Sequence, residues 1–404
     1  MLKALIRIFR EAYRGLPKTA WMLAAAAFVN SSGMMVIFFL SLYLTQKLHF
    51  STSFAGQALS LYGLGGIAGA YLGGRLCDKV GATRVQGMSL LLTGGLCVSL
   101  SFFQSRPAIL ILLAAIGLAS QALYPANSTA MTLICPPELR PRGFALQRLA
   151  NNLGVTIGPV LGGYLALHDY HYLFWVDGLT SIAAAVLIAL FFRKKPIYAP
   201  AQEKSQQQQD SPWRDPLFLF VLLLTISLGV IFVQLLSTYP LYLRRTYGLA
   251  ENRIGSVLAV NTLMIVFLEM PLVHWLSRFA PGRVVAWGAL FFGASFPLLP
   301  LGRSFGFAAL CMAVLTVGEM LTLPMLATLI SNRAPASRVG RYQGMFSLAF
   351  TVAFVIGPLL GTWVYGSWSG EALWVAVGLL AVLIWLGFHA VQTALNKRKT
   401  AVKK

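Results

Sequence analysis

The chain has 404 residues, 57% of them hydrophobic and only 11% charged. A soluble domain carries about a quarter of its residues as charges, so a fold bathed in water on every side is excluded. The formal charge of +20 would suggest nucleic acid in a soluble protein, but here the placement of the cations argues for a membrane instead.

A helix needs about 20 mostly apolar residues to cross the hydrocarbon core of a bilayer. Twelve such runs follow one another, near 21–44, 56–76, 86–104, 108–134, 147–167, 172–192, 217–243, 254–275, 284–302, 305–330, 345–365 and 371–393. A globular core explains one or two such runs but not a series along the whole length. The 86–104 and 284–302 runs are the shortest, and Gly or Pro interrupts several others. Membrane helices tolerate this because neighbouring helices restore the lost backbone bonds. The first run has the basic start of a signal peptide and carries Ala24–Ala27, yet it continues to Leu44. That is too long for a signal core, and it reads as a retained helix.

If both termini face the cytoplasm, all but six of the 32 Lys and Arg lie on that side; the exceptions are Lys47, Arg106, Arg244, Arg245, Arg253 and Arg303. The bias of cytoplasmic loops toward Lys and Arg then predicts an in–in, multi-pass orientation with an even number of spans. Attraction to anionic lipid is a secondary consequence, and nucleic acid is not expected as a partner. The cysteines Cys77, Cys97, Cys135 and Cys311 occur singly within or at the ends of spans. They have neither metal-ligand nor disulfide-framework spacing and read as small buried apolar residues.

One offset of 199 residues relates the two ends of the chain. It carries Tyr43-Leu44 onto Tyr242-Leu243, Gly56 onto Gly255, Arg84 onto Arg283, Pro125 onto Pro324, Gly158-Pro159 onto Gly357-Pro358, Gly162 onto Gly361 and Trp175 onto Trp374. An ordered series spanning all six helices indicates a duplication. The polar, Gln-rich segment 193–215, with Pro196, Pro200 and Pro212, reads as a flexible cytoplasmic linker. It separates a six-helix half at 1–192 from another at 216–404. Six-helix repeats related by an axis along the membrane normal define a transporter architecture, with substrate bound near midplane and alternating access by rocking of the halves.

Specific motifs support this reading. The segment Gly74-Arg75-Leu76-Cys77-Asp78-Lys79-Val80-Gly81, followed by Arg84, resembles the signature loop of the major facilitator superfamily, G-x-L-x-D-R/K-x-G with basic residues after it. Ala82 and Thr83 stand where the family has a basic pair. Residues 275–283 are a decayed copy in which Ser277 replaces the acid. In the fifth run Gly154, Gly158, Pro159, Gly162 and Gly163 resemble the family's antiporter motif, associated with proton-coupled exporters of drug-like molecules. The Arg that the family's proton-coupled exporters carry in their fourth helix has no counterpart between Ile116 and Gln121. The resemblance covers essentially the full chain. It implies an all-α fold of twelve transmembrane helices in two pseudo-symmetric halves, acting as a drug:proton antiporter-like monomer with no cofactor or metal.

Physical chemistry gives each motif a role. Asp78 beside Lys79 and Arg84 can pair with cations or with a helix N-terminus of the other half, forming a conformational latch worth about 0.3–2 kcal/mol; a plain solvated turn is the alternative. Gly74 and Gly81 permit tight turning. The i, i+4, i+8 stripe of Gly154, Gly158 and Gly162 allows close helix packing, and Pro159 bends its helix. Packing alone and a gating role are both compatible with that stripe.

Among the few acids, Glu319 and Glu269 lie inside apolar runs. An ionised side chain there costs at least about 2.5–3.5 kcal/mol, and apolar surroundings favour the neutral form of a carboxyl. A proton carrier needs both properties, which makes Glu319 the leading proton-coupling candidate; Glu269 fits this role and a structural hydrogen bond equally. Asp177 is expected at the outer start of the sixth helix in a structural N-terminal role. By the resemblance, helices 1, 4, 7 and 10 line the cavity, so Asn30, Gln121, Tyr124, Asn127 and Gln234, with Asn261 on helix 8, are candidates to meet substrate, or equally to tie helices together at about 0.6 kcal/mol each. Phe38, Phe39, Tyr43, Tyr62 and Phe232 could give an aromatic pocket, though most are expected to pack toward lipid.

There is no Walker loop, so ATP is not expected as the energy source, and no catalytic constellation suggests an enzyme. The expected activity is proton-coupled efflux of small amphipathic or drug-like molecules. The alternative is a proton-coupled uptake carrier or uniporter for a small metabolite; an integral membrane enzyme or sensor is less favoured. Short loops, and glycosylation sequons at Asn30 and Asn127 that fall inside spans, point to a bacterial inner membrane.

Overall fold

The computed structural model describes residues 15–136, 139–192, 212–276, 278–333 and 339–402; at a few helical positions, Asp78 and His274 among them, it describes the backbone alone. Most of the expected linker, 193–211, lies outside the described residues. Among the described residues there is no strand. In lipid, a segment has to satisfy its own backbone groups, which favours helices.

Among the described residues, twelve helical segments follow in chain order. α1 spans Lys18–Lys47 as Lys18–Ser32, Val36–Leu42 and a π-helical turn at Tyr43–Lys47. α2 is Thr52–Val80 and α3 is Ala82–Leu100. α4 spans Arg106–Ile134 in two pieces broken at Ala122. α5 is Arg140–His168 and α6 is His171–Phe192. α7 is Pro216–Val233, continued by Tyr239–Arg245. α8 is Glu251–Leu276, α9 is Pro281–Leu298 and α10 is Phe305–Arg333. α11 is Val339–Ser367 and α12 is Gly370–Val402.

Nine of these are apolar enough over 18 residues to cross a membrane by composition alone. α2, α3 and α5 are the other three; at 29, 19 and 29 residues they rise about 43, 28 and 43 Å at 1.5 Å per residue. Their glycines, polar residues and cations lower their hydropathy.

Packing divides the described residues into two compact units. The first holds the residues up to Ile37 and those from Leu61 through α6; the second holds Phe38–Ser60 and everything from α7 onward. In the first unit α1 packs on α5 and α6, and α3 on α4 and α6; in the second, α7 packs on α11 and α12, and α9 on α10 and α12. The pattern repeats helix for helix, as the offset of 199 requires. Small residues make the packing close. A Cβ on Gly65, Gly69 or Gly73 of α2 would come within 2.7 Å or less of the α4 backbone at Ala114, Leu118 and Ala122, the kind of stripe that lets membrane helices approach.

Helix starts follow local chemistry. Asp215 caps α7 by accepting the Phe218 N–H at 3.2 Å, with Pro216 at the first helical position, the preferred pairing for a helix start. The side chain of Arg333, at the end of α10, pairs with the same carboxylate.

α2 and α3 are joined by a single residue, Gly81, at φ 92° and ψ 145°. Side-chain-bearing residues avoid this region at a cost of about 1–3 kcal/mol. Gly81→Ala is therefore expected to lower the unfolding free energy of the purified protein by about that amount, read as a lower midpoint in thermal unfolding in detergent. A wild-type melting curve would show that the turn carries no such demand.

Candidate functional site

α1 is interrupted where its polar residues lie. The first piece ends at Ser32 and the second starts at Val36. A helix start leaves backbone N–H groups without partners inside the helix. Here the N–H groups of Met35 and Val36 both donate to Oδ2 of Asp177, at 3.3 and 3.1 Å. Asp177 is buried and sits at the seventh position of α6 rather than at its start. The role expected at the start of α6 is therefore not found: the carboxylate instead caps a helix start within α1, created by the interruption, which composition does not reveal.

Neighbouring contacts hold the same break. Ser181 Oγ of α6 donates to Asn30 Oδ1 at 3.0 Å, and Ser31 Oγ donates to Asn151 Oδ1 of α5 at 3.2 Å. A Cβ on Gly154 would lie 2.6 Å from the Ser31 Cβ, and one on Gly158 would lie 2.6 Å from the Met34 carbonyl oxygen. Two of the motif glycines thus bring α5 against α1 at its interruption. Gly162 and Gly163 lie buried further along α5, past Pro159.

Beside this break is a cavity of about 500 Å³ within the first unit, in the size range of ligand pockets. Asn30, Gln121, Tyr124 and Asn127, four of the six residues expected to meet substrate, come together on its wall. Tyr62 of α2 also lines it, and its hydroxyl lies 3.2 Å from Ser120 Oγ.

The polar residues of α3 and α5 were not among those expected to line the cavity. Gln86 and Thr93 of α3, and Gln147, Asn151 and Asn152 of α5, line the same cavity. The signal was available, since Gln86, Ser89 and Thr93 recur at spacings of three and four within an apolar run and so share one helix face. Among the described residues no carboxylate lines this cavity, and its one charged lining side chain is Arg148.

In the second unit, Asn261 Nδ2 of α8 donates to Glu319 Oε2 of α10 at 2.7 Å and to Thr316 Oγ1 at 3.1 Å. Glu319 also borders a small apolar cavity of about 10 Å³ with Leu228, Phe232, Phe292, Thr322 and Leu323, enough for about one water. Two expected site residues are therefore joined. Glu269 is buried on α8, eight residues and about 12 Å of helix rise beyond Asn261.

Gln234 lies elsewhere, at the break between Pro216–Val233 and Tyr239–Arg245. Its Nε2 donates to the carbonyls of Val230 and Gly357 at 2.9 and 3.0 Å, while its Oε1 accepts from Ser237 and Thr238 at 3.3 and 2.8 Å. It lines neither cavity.

Of the signature segment, Gly74 lies within α2 rather than in the expected turn, with nothing within 4 Å of where a Cβ would sit, and Lys79 and Arg84 are exposed. The Asp78 side chain, on which the latch depends, lies outside the described residues. Phe38, Phe39 and Tyr43, expected mostly against lipid, are instead buried. They follow the interruption of α1 in the chain and pack against protein.

The broken helices, the polar cavity and the half-buried carboxylate fit a multi-pass membrane protein of the transporter class. The family model of the Major Facilitator Superfamily matches residues 22–251 and 235–404, and the chain belongs to that superfamily as a secondary transporter. It is 25% identical to a Na(+), Li(+), K(+)/H(+) antiporter of Planococcus maritimus, over 90% of this chain and 93% of the relative. It is also 25% identical to the multidrug resistance protein MdtH of Edwardsiella ictaluri, over 87% of this chain and 88% of the relative. Among solved structures, a peptide transporter POT in complex with sulfate superposes with a TM-score of 0.80 at 17% identity, covering 95% of this chain and 96% of that one. At that identity the match bears on the fold alone.

The Asp177 contact yields a stability test. Asp177→Ala leaves two buried N–H groups without acceptors and is expected to cost about 1–3 kcal/mol. Asp177→Asn keeps one oxygen at the same place and is expected to cost clearly less. Denaturant or thermal unfolding in detergent orders the two, and equal stabilities would contradict the capping role.

Proposed function

We propose that the chain exports small amphipathic organic molecules across a bacterial inner membrane in exchange for protons, by alternating access of two six-helix halves with both termini in the cytoplasm. The observation that carries this reading is Glu319, a carboxyl inside an apolar run whose Oε2 accepts from the neutral Asn261 amide at 2.7 Å. A proton carrier has to bear charge while it meets water and be neutral while it crosses. An amide suits both states, donating to a carboxylate and accepting from a carboxylic acid. Glu269, buried on the same α8, is the second proton-coupling candidate. Likeness to an antiporter and to a multidrug resistance protein supports exchange and export.

Substrate enters this scheme at the carboxamide-lined cavity of the first unit, whose apolar lining includes Leu23, Leu90 and Ile188. In the proposed cycle Asp78, Lys79 and Arg84 form the cytoplasmic latch, and the α5 motif from Gly154 to Gly163 keeps the bundle closed to leak.

The test is flux in proteoliposomes under an imposed pH gradient, with a panel of small amphiphiles and internal pH recorded together. Wild type is expected to move solute and protons in opposite directions. Glu319→Gln keeps the hydrogen bond from Asn261 but not the titrating group, and is expected to reduce gradient-driven flux by at least about 100-fold, in line with loss of a functional proton-transfer group. Full coupling in that variant would remove Glu319 from the mechanism.

A further inference from the structure

The substrate class of the first-unit cavity can be read from its wall, given the transport reading above. The starting point is α3. Gln86 is 1% exposed and Thr93 9% exposed, yet both line the cavity. Gln86 Nε2 donates to Asn127 Oδ1 at 2.6 Å. Its Oε1, and the Oγ1 of Thr93, have no protein hydrogen-bond partner. Buried polar atoms without partners are rare in folded proteins and each calls for an explanation. Of several such side-chain atoms among the described residues, these two lie seven residues apart on one helix face, on side chains that line the same cavity. Turning both amides over exchanges donor for acceptor and still leaves one Gln86 amide atom without a protein partner.

The rest of the wall narrows the chemistry. Carboxamides of Asn30, Gln121, Asn127 and Asn151 add neutral groups that both donate and accept. Desolvating a fixed positive charge is costly unless an opposite charge is supplied. Among the described residues the lining offers no carboxylate, and its one charged side chain is itself a cation, Arg148. Leu90 sits between Gln86 and Thr93 on the α3 face, and Phe144 and Ile188 extend the apolar part of the wall.

We propose that α3 forms a substrate subsite in which Gln86 and Thr93 hydrogen-bond the polar end of an uncharged amphipathic solute, an amide or hydroxyl compound, and that the cavity disfavours lipophilic cations. The apolar wall takes the other end of the solute. Gln86 is the main specificity determinant, because a solute lacking a hydrogen-bonding group opposite it leaves that buried amide atom unpaired on binding, a penalty polar sites use to discriminate between ligands.

The test is equilibrium binding to the purified full-length protein in detergent, with no gradient applied. The probes are radiolabelled N-acetyl-L-phenylalaninamide, which is neutral with an amide end and an aromatic end, and tetraphenylphosphonium, a lipophilic cation with no hydrogen-bond donor. The neutral amide is expected to bind saturably, and tetraphenylphosphonium is expected not to displace it. Gln86→Leu is expected to weaken amide binding by about tenfold, the worth of one well-made hydrogen bond. Thr93→Val, nearly isosteric, is expected to weaken it by a smaller factor, and it keeps the test decisive should Gln86→Leu fail to fold.

The proposal is overturned if the amide does not bind saturably, if the cation binds more tightly, or if folded variants bind the amide as wild type does. Because binding without a gradient is independent of direction and of coupling, failure of proton-driven export in proteoliposomes would leave this result standing. Conversely, coupled flux of the cation alone would uphold transport while refuting the subsite.

Discussion

A backbone group inside an apolar bundle has no water to turn to, and the structure is organised around the places where that demand is hardest to meet. α1 gives up its regular hydrogen bonding between Ser32 and Val36. A break there leaves N–H groups that would each cost several kcal/mol in hydrocarbon. Asp177 takes two of them, Asn30 and Ser31 are tied to α6 and α5, and the glycines of α5 bring a second helix against the gap. The break, its cap and the adjoining cavity are therefore one arrangement. The polar residues that repair the backbone stand next to those that line the opening.

The second half meets the same demand differently. The offset of 199 carries Met35 onto Gln234, so the first helix of each repeat breaks at corresponding places. In α1 the acceptor is a carboxylate supplied by α6. After α7 the main chain supplies its own acceptors, the Thr238 and Tyr239 N–H groups donating to the Gln234 carbonyl at 3.2 and 2.9 Å, while the Gln234 side chain donates to the Val230 and Gly357 carbonyls and accepts from the Ser237 and Thr238 hydroxyls. The position that offset assigns to Asp177 in the second half is Ala376, which offers no side-chain acceptor. A duplicated architecture has thus kept its helix breaks while exchanging a side-chain acceptor for main-chain carbonyls.

The two units also differ in what they enclose. The first holds a broad cavity walled by amides and hydroxyls; the second holds a carboxyl on a neutral amide beside a space the size of a single water. Neutral amides bind a solute through direction rather than charge, and a carboxyl responds to a proton. In the function proposed here, solute recognition and proton carriage fall to different repeats. That separation suits an exchanger in which one ligand has to leave as the other arrives.

The sequence by itself determined that this is a membrane-embedded helical chain with a duplicated pattern, because helix length and apolarity are local quantities and a constant offset is visible in one dimension. The loop and glycine motifs identified the family, and only that resemblance, by assigning helices 1 and 4 to a cavity, made Asn30, Gln121, Tyr124 and Asn127 candidates for one wall. Only the tertiary structure decided which polar side chains face one another. Gln234 looked like Asn30 in sequence, an amide in the first helix of its repeat, yet it is consumed by its own helix break. Gln86 and Thr93 were legible as a polar stripe, but the side of α3 facing the cavity depends on how α3 packs against α4 and α6. Asp177 was readable as a helix-start acid, while the start it serves lies some 140 residues away along the chain. The reason is common to all three: within a bundle, a polar group's role is set by its nearest neighbour in space, and that neighbour belongs to another helix.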